Sequence, residues 1–511
     1  MQNKFHIQFC FVFICIMLAF TMPIFAQDYF QDNFSLTETY LAISRPEVVC
    51  NQSNNPAWQI RDYTDNNMSY GVSFDFDNGD FALPYIPSIN RDVNYTAAGQ
   101  KKLFENGLFT GYVSYHQQNM DDKKWVHNRL PYRGIPFLLA DSSTGGMELN
   151  GIHWQLGYSH KLRGDKLYLG SSLFYNVDEE HKTIFPKPIN KHRDIAFTTG
   201  LGSKLSSKIN SGISITYFDF QEIMKTSKYS LEQDKTPIFF NIRGLDNPII
   251  SRGQTSEERQ IDITGYRATF DSDIQDLLAD EIKLMAGLEQ AESEAVDGGA
   301  YPVPQGTWAS DRYFYSVRAA FSVFKSTRLE MFSKGQLNHQ TADHPDINVG
   351  IYEYHREQIL AGIAWQFPVG RLFEIKPSVY GASQYLKRED KFNGILDYYP
   401  ATIYGGSLKF QFFQYKGVLS SLEMGTSFLE SGNTEMFTDR IGWYFNQITA
   451  PEAEYYQSNK IRPWASAEVR WNYNPNLDFL LKIQYGQIIP DSHYFENSRR
   501  SSLKVDFCVE Y

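Results

Sequence analysis

Residues 501–511 read SSLKVDFCVEY and end the chain on an aromatic residue. A strand alternates its side chains with a period of two. Leu503, Val505, Phe507, Val509 and Tyr511 therefore share one face, and Ser502, Lys504, Asp506, Cys508 and Glu510 share the other. A final strand with one oily face that stops on Tyr511 is how outer-membrane barrels end, and it looks like the signal read by the barrel-insertion machinery of Gram-negative bacteria. Soluble sandwiches alternate too, so the weight of the reading lies in how often the pattern recurs.

Working back from Tyr511, it recurs along most of the chain. Phe479, Leu481, Ile483 and Tyr485 form one apolar face, and Ala465, Ala467, Val469, Trp471 and Tyr473 form the next, with a tight Asn474-Pro475-Asn476 turn between them. Similar faces lie at Tyr404 to Phe412, Ile359 to Phe367, Tyr313 to Val323 and Ile152 to Tyr158. The links alternate in length. Short turns fall near 105–107, 163–166, 204–208, 324–327, 368–371, 414–417 and 474–476. Longer links fall near 118–149, 178–192, 221–259, 292–310, 340–354, 387–401, 430–461 and 489–500. Such sorting is expected of a barrel with short periplasmic turns and long extracellular loops, and not of a Greek-key sandwich.

The fold expected is therefore all-β: a transmembrane antiparallel up-and-down β-barrel of about 18 strands, with 16 as the fallback. The least secure strands are 92–104, 260–270 and 281–291. DLLADEIKLMAGLEQAESEA has helical propensity, but Ile282, Leu284, Ala286 and Leu288 alternate and an even strand count needs the segment.

At the other end, Lys4 precedes an apolar run from Phe9 to Ala26, followed by polar QDYFQDN. It reads as a cleaved secretory signal, with an uncleaved anchor as the alternative. The expected organisation is a signal peptide at 1–26, a periplasmic segment or small plug at 27–66 and the barrel at 67–511. Beyond the signal no run approaches the roughly 18 apolar residues of a spanning helix. Aromatics make up 15%, with 33 Tyr and 38 Phe, enough to supply interfacial girdles. The net charge of −11 argues against a nucleic-acid partner.

Opposite the apolar faces stand His153, Gln155, Lys161, Arg318, Glu374, Lys376, Lys409, Glu423, Glu468, Arg470, Lys482, Lys504 and Asp506, the expected lining of the lumen. The signs are mixed. Such a wall either pairs with itself and with water or forms a track for a polar solute, and the width suits an aqueous channel unless loops or an N-terminal plug fill it. Cys50 and Cys508, the two cysteines of the mature chain, are candidates for a disulfide tying the N-terminal segment to the barrel mouth; two separate thiols are the alternative.

Leu130 to Gly164 contains Pro131-Tyr132, Ala140-Asp141-Ser142 and Gly145-Gly146 before an alternating strand. Pro186-Lys187-Pro188 and Asp194 follow, and Asn55-Pro56-Ala57 lies near the start. These features resemble an uncharacterised family of Gram-negative outer-membrane β-barrel proteins, known only as a domain of unknown function. The chain departs from the pattern by an extra residue between Ser142 and the glycine pair and by Met147 where an acidic residue is usual. The resemblance implies fold and location but no mechanism.

Catalytic motifs are thin: there is no Gly-x-Ser-x-Gly, His-Glu-x-x-His, phosphate loop or Cys-x-x-Cys. Asp75, Asp77 and Asp80 around Asn78-Gly79 read as a hairpin turn rather than a calcium loop. His339, Asp343, His344, Asp346 and His355 read as a plain outer loop rather than a metal site. No cofactor or metal is expected, and no enzyme. The functional readings are a channel or transporter for small polar solutes, an anchor or scaffold whose loops near 221–259 and 430–461 bind a surface partner or ligand, and, least supported, a hydrolase at the rim. The expected partners are outer-membrane lipid, the barrel-assembly machinery, a polar solute and a surface protein.

Overall fold

The computed structural model describes residues 55–63, 66–128, 135–162, 164–227, 238–245, 249–252, 256–298, 301–324, 327–346, 349–370, 373–415, 417–438, 442–474, 477–491 and 498–511. The strands are β1 (Asn67–Gly79), β2 (Ile89–Leu103), β3 (Gly107–Val126), β4 (Phe137–Lys161), β5 (Leu167–Lys182), β6 (Ile189–Lys204), β7 (Ile209–Ser227), β8 (Ile238–Arg243), β9 (Ile249–Arg252), β10 (Ser256–Gln275) and β11 (Glu281–Asp297). They continue with β12 (Val303–Phe324), β13 (Thr327–Asp343), β14 (Gly350–Val369), β15 (Phe373–Asp390), β16 (Ile395–Tyr415), β17 (Val418–Ser431), β18 (Glu435–Thr438), β19 (Asn459–Asn474), β20 (Leu477–Asp491) and β21 (Arg500–Glu510). A single-turn 3-10 helix, Pro56–Trp58, precedes them, and α1 (Ala450–Gln457) lies between β18 and β19.

The ladder runs antiparallel from neighbour to neighbour and closes where β21 pairs with β1, Phe507 opposite Val72 and Val505 opposite Phe74. Met68 and Tyr511 exchange backbone hydrogen bonds of 2.8 and 2.7 Å at this seam. The short strands β8, β9 and β18 are additions at the extracellular end, on β4 and β16. The other 18 strands form a closed barrel, and closure removes the unpaired edge that lipid would not tolerate.

The outward face is apolar where lipid would lie. Ile152, Leu156 and Tyr158 on β4, Ile213, Ile215 and Tyr217 on β7, and Ile363 and Trp365 on β14 are all exposed. Segments 260–270 and 281–291 are strands, as the alternation required, joined by a turn at 276–280. The helical propensity of the second yields because it gains two full ladders, Leu288 of β11 facing Ala268 and Tyr313.

The outer links differ from expectation. Links expected to be long near 178–192, 292–310, 340–354 and 387–401 are short, because their strands run on: β5 ends at Lys182 and β6 begins at Ile189. Strands of 16 to 25 residues exceed the ~10 needed to cross a bilayer. Past the lipid, the outward face turns charged while the backbone ladder continues, with Lys191 paired to Glu179 at 2.8 Å and Arg193 to Asp219 at 2.9 Å. Loss of apolar alternation therefore marks the edge of the lipid and not the end of the strand.

Inside, aromatic rings lie over glycines of the next strand. A Cβ on Gly362 would stand 2.4 Å from the Phe332 ring, and one on Gly425 2.7 Å from Trp464. Phe218 over Gly265, Phe314 over Gly287 and Tyr380 over Gly405 repeat the device around the wall. The glycine supplies the gap and the ring fills it, which lets the sheet curve without leaving a void.

Candidate functional site

The extracellular half of the interior is dry. Inward-facing Phe174, Phe218, Phe220, Ile261, Ile263, Trp308, Leu386 and Tyr399 meet Phe81, Leu83 and Tyr85 from the β1–β2 link, and Tyr444, Phe445, Ile448, Ala453 and Tyr455 from the β18–β19 link, in one apolar core. Of the two alternatives, an aqueous channel and a lumen filled by loops, the outer half shows the second: folded-in loops occupy it. These residues looked like ordinary loop, and only closure of the wall brings them together.

A buried charge cluster fastens this dome to the wall. The Arg388 guanidinium on β15 donates to Asp397 on β16 at 2.7 Å and to Glu452 on α1 at 2.8 Å. The Tyr85 hydroxyl donates to Glu452 at 3.0 Å, and Tyr399 donates to Asp397 at 3.1 Å. Burial holds the Glu452 carboxyl above the usual glutamate range, although Arg388 pulls it down. Nearby, Asp390 accepts from the Leu245 amide at 2.6 Å and the Asn393 side chain at 2.6 Å, and Thr449 donates to the Leu245 carbonyl at 2.7 Å. Breaking one member of such a cluster leaves the others charged and buried, which makes the dome cooperative.

Below the dome, the wall from β12 to β21 carries most of the residues expected in the lumen. Glu330 joins Arg318 at 3.0 Å and Lys376 at 2.8 Å, and the two cations remain 31% and 32% exposed. Glu374 accepts from Gln366 at 2.6 Å, and Glu423 from Ser407 at 2.8 Å. Lys409 is in register with Lys376 and Glu423. Glu468 faces Lys482, which faces Asp506 in turn. Arg470 reaches Asp478 at 3.2 Å and also pairs with Glu510, while Lys504 lies 3.8 Å from Asp506. The result is a run of charged side chains of both signs along one stretch of inner wall, most of them partly exposed. An apolar patch of Leu360, Ala382, Ile403 and Leu429, with Phe332 and Tyr380 against it, forms its upper limit.

The other expected residues lie elsewhere. His153 is buried on β4, stacked on Tyr112 at 5.4 Å and 5.8 Å from the His116 ring, which in turn approaches Asp178 at 3.1 Å. Gln155 is in register with Tyr112. Lys161 is the last residue of β4, at a periplasmic turn, where it pairs with Asp165 at 2.8 Å. The Cys50–Cys508 pairing and the signal peptide fall on residues outside those described.

Asp75, Asp77 and Asp80 do not form a cation loop, since Asp77 is bound to Arg500 at 2.8 Å. His339 and His355 meet edge-on across β13 and β14, whereas His344 turns to Arg243 at 3.2 Å. No group of three metal-ligating side chains occurs among the described residues, and no described helix is long and apolar enough to cross a membrane.

Sequence reasoning undervalued the Asn-Pro-Ala-Trp segment. Asn55, Ala57 and Trp58 are fully buried against β3 to β7 and β10, near the periplasmic turns. Asn55-Pro56-Ala57 stood out only as a feature shared with the family it resembles, and nothing local says where the segment docks.

A lipid-facing closed wall, a loop dome and a charged vestibule beneath it define a β-barrel of the outer-membrane type. The model described as a family of unknown function, DUF6850, matches residues 56–509, and the chain belongs to that family. No curated protein matches it. Among solved structures, similarity extends to the siderophore receptor PiuA of Acinetobacter baumannii, at 8% identity over 88% of this chain and 82% of that one, with TM-score 0.40. It extends also to the ferric yersiniabactin uptake receptor FyuA of Yersinia pestis, at 6% identity, 87% and 80% coverage and TM-score 0.42. A Pseudomonas aeruginosa FadL homologue matches at 10% identity, 89% and 92% coverage and TM-score 0.33. These likenesses concern barrel architecture alone.

Proposed function

We propose that this protein is a gated outer-membrane transporter for small polar solutes, closed toward the outside in the conformation described. The observation that carries the reading is the run of mostly partly exposed charges below the dome, in which Arg318, Lys376, Lys409, Glu423, Glu468, Arg470, Lys482, Lys504 and Asp506 share one stretch of inner wall, with buried Glu330 holding Arg318 and Lys376. A barrel serving only as an anchor has no need of an inner wall lined with partly exposed charges, and mixed signs favour neutral or zwitterionic solutes over ions of one sign. The dome makes an always-open pore the wrong description. Transport requires it to loosen, and the Arg388 cluster is where it is held.

Planar-bilayer recording tests this. The wild type is expected to conduct little, whereas Arg388→Leu, which strands Asp397 and Glu452, is expected to give frequent openings and faster sugar uptake into liposomes. Correctly assembled Arg388→Leu protein that stays silent in both assays would remove the transporter reading. The second reading, an anchor whose outer surface binds a partner, draws on the exposed Phe437 and Trp443 rings beside the dome. In that case the silent barrel would lose surface binding on Trp443→Ser.

A further inference from the structure

We propose that the inner wall at the periplasmic end carries a recognition site for a turn peptide of the type Asn-Pro-small-Trp, which the chain's own residues 55–58 fill in cis. Three features of the wall read three features of the peptide.

The first is the asparagine. Its Oδ1 accepts from the Ala57 amide at 3.0 Å and caps the turn, while its Nδ2 donates to the Leu201 carbonyl at 3.2 Å, the Ile213 carbonyl at 3.1 Å and the Asp271 carboxylate at 3.2 Å. Neither an aspartate nor an alanine could both cap the turn and donate to those oxygens. The second is the indole, whose N–H donates to the other oxygen of Asp271 while its ring lies 5.8 Å from Tyr168 and under the Arg61 guanidinium at 4.4 Å. Arg61 is itself held 3.7 Å from Asp273.

The third is a bed of glycines. A Cβ on Gly170 would come within 2.3 Å of the Pro56–Ala57 backbone, one on Gly200 within 2.0 Å of the Asn55 amide, one on Gly202 within 2.6 Å of the Trp58 ring, and one on Gly212 within 2.5 Å of Asn55. On β4, Gly157 clears Gln59 in the same way, at 3.0 Å. Glycine weakens a strand, so five on adjoining strands at one depth are a liability for an empty wall. They become favourable when a peptide backbone lies on them. Shape, an amide reader and a carboxylate that accepts from both Asn and Trp together select a sequence, whereas a generic apolar contact would fill space with any side chains.

The site is testable after folding, so that assembly is not at stake. A protease site placed at residues 64–65 of the full chain allows the strap to be cut from the assembled barrel, which then meets a fluorescent peptide of sequence NPAWQIRDY. Before cleavage the tethered strap, at an effective concentration in the millimolar range, should hold labelled peptide binding at least roughly tenfold weaker than after it. After cleavage the peptide should bind saturably, and a peptide with Ala for Asn or for Trp should not compete. Gly202→Val in the same background should abolish binding while the barrel keeps its heat-modifiable migration. Absence of saturable binding to the cut barrel, equal competition by the Ala peptides, or unchanged binding to the Gly202→Val barrel would each overturn the proposal.

Discussion

At the scale of single residues, Arg388 and Glu452 have the largest leverage. Arg388 is 1% exposed and satisfies two carboxylates on separate elements. Its loss is expected to destabilise the dome by about 3–5 kcal/mol, because two buried acids are left without a cation. Protease digestion from the outer face should then cut near α1 before the wall is attacked. Glu452 adds a pH dependence. Its folded-state affinity for a proton is raised above that of an ordinary glutamate at 4.5, so its contribution to the closed state is greatest below 4.5 and declines as pH rises toward the raised value. Subtracting the pH profile of Glu452→Gln dome stability from that of the wild type should isolate this slope, and parallel profiles would exclude it. The sequence marked neither residue as special, since each lies in a polar context where charge looks ordinary.

At the scale of elements, a strand's two faces should respond oppositely to charge. Ile363→Arg, on the lipid side of β14, is expected to lower stability by about 2–4 kcal/mol, as charge near the bilayer middle does. Lys409→Gln, on the inner face of β16, should stay within about 0.5 kcal/mol, as substitutions away from buried features do. Urea titrations of barrels folded into vesicles would measure both. Overpacking gives a third case: Gly362→Val drives a side chain into Phe332 and should remove about 1–3 kcal/mol. Strand existence and facing were legible throughout because a period of two needs only the local chain, even across 281–291, where propensity pointed to helix. The outer strand ends were not legible: beyond lipid the ladder is held by backbone bonds that leave no apolar signature.

At the scale of the whole molecule, two segments share the interior, the dome above and the Asn55–Trp58 turn against the wall below. A solute leaving through the vestibule meets the dome first, so cutting the strap alone should leave bilayer conductance near the wild-type level. Arg388→Leu should raise it, and the two changes together should exceed the sum of their separate effects. Additive conductances would mean that the dome and the turn act on separate routes.

The amino-acid sequence by itself determined the antiparallel barrel, its even strand count, which end of each strand carries the tight turn, and which side chains face lipid. All of these follow from alternation and turn chemistry, which are encoded within a few residues. The tertiary structure alone decided that the outer half of the lumen is filled, that Arg388 gathers Asp397 and Glu452, and that glycines from four strands make a bed for Asn55 to Trp58. Those partners lie tens to hundreds of positions apart, and only the curvature and register of a closed sheet bring them to one place.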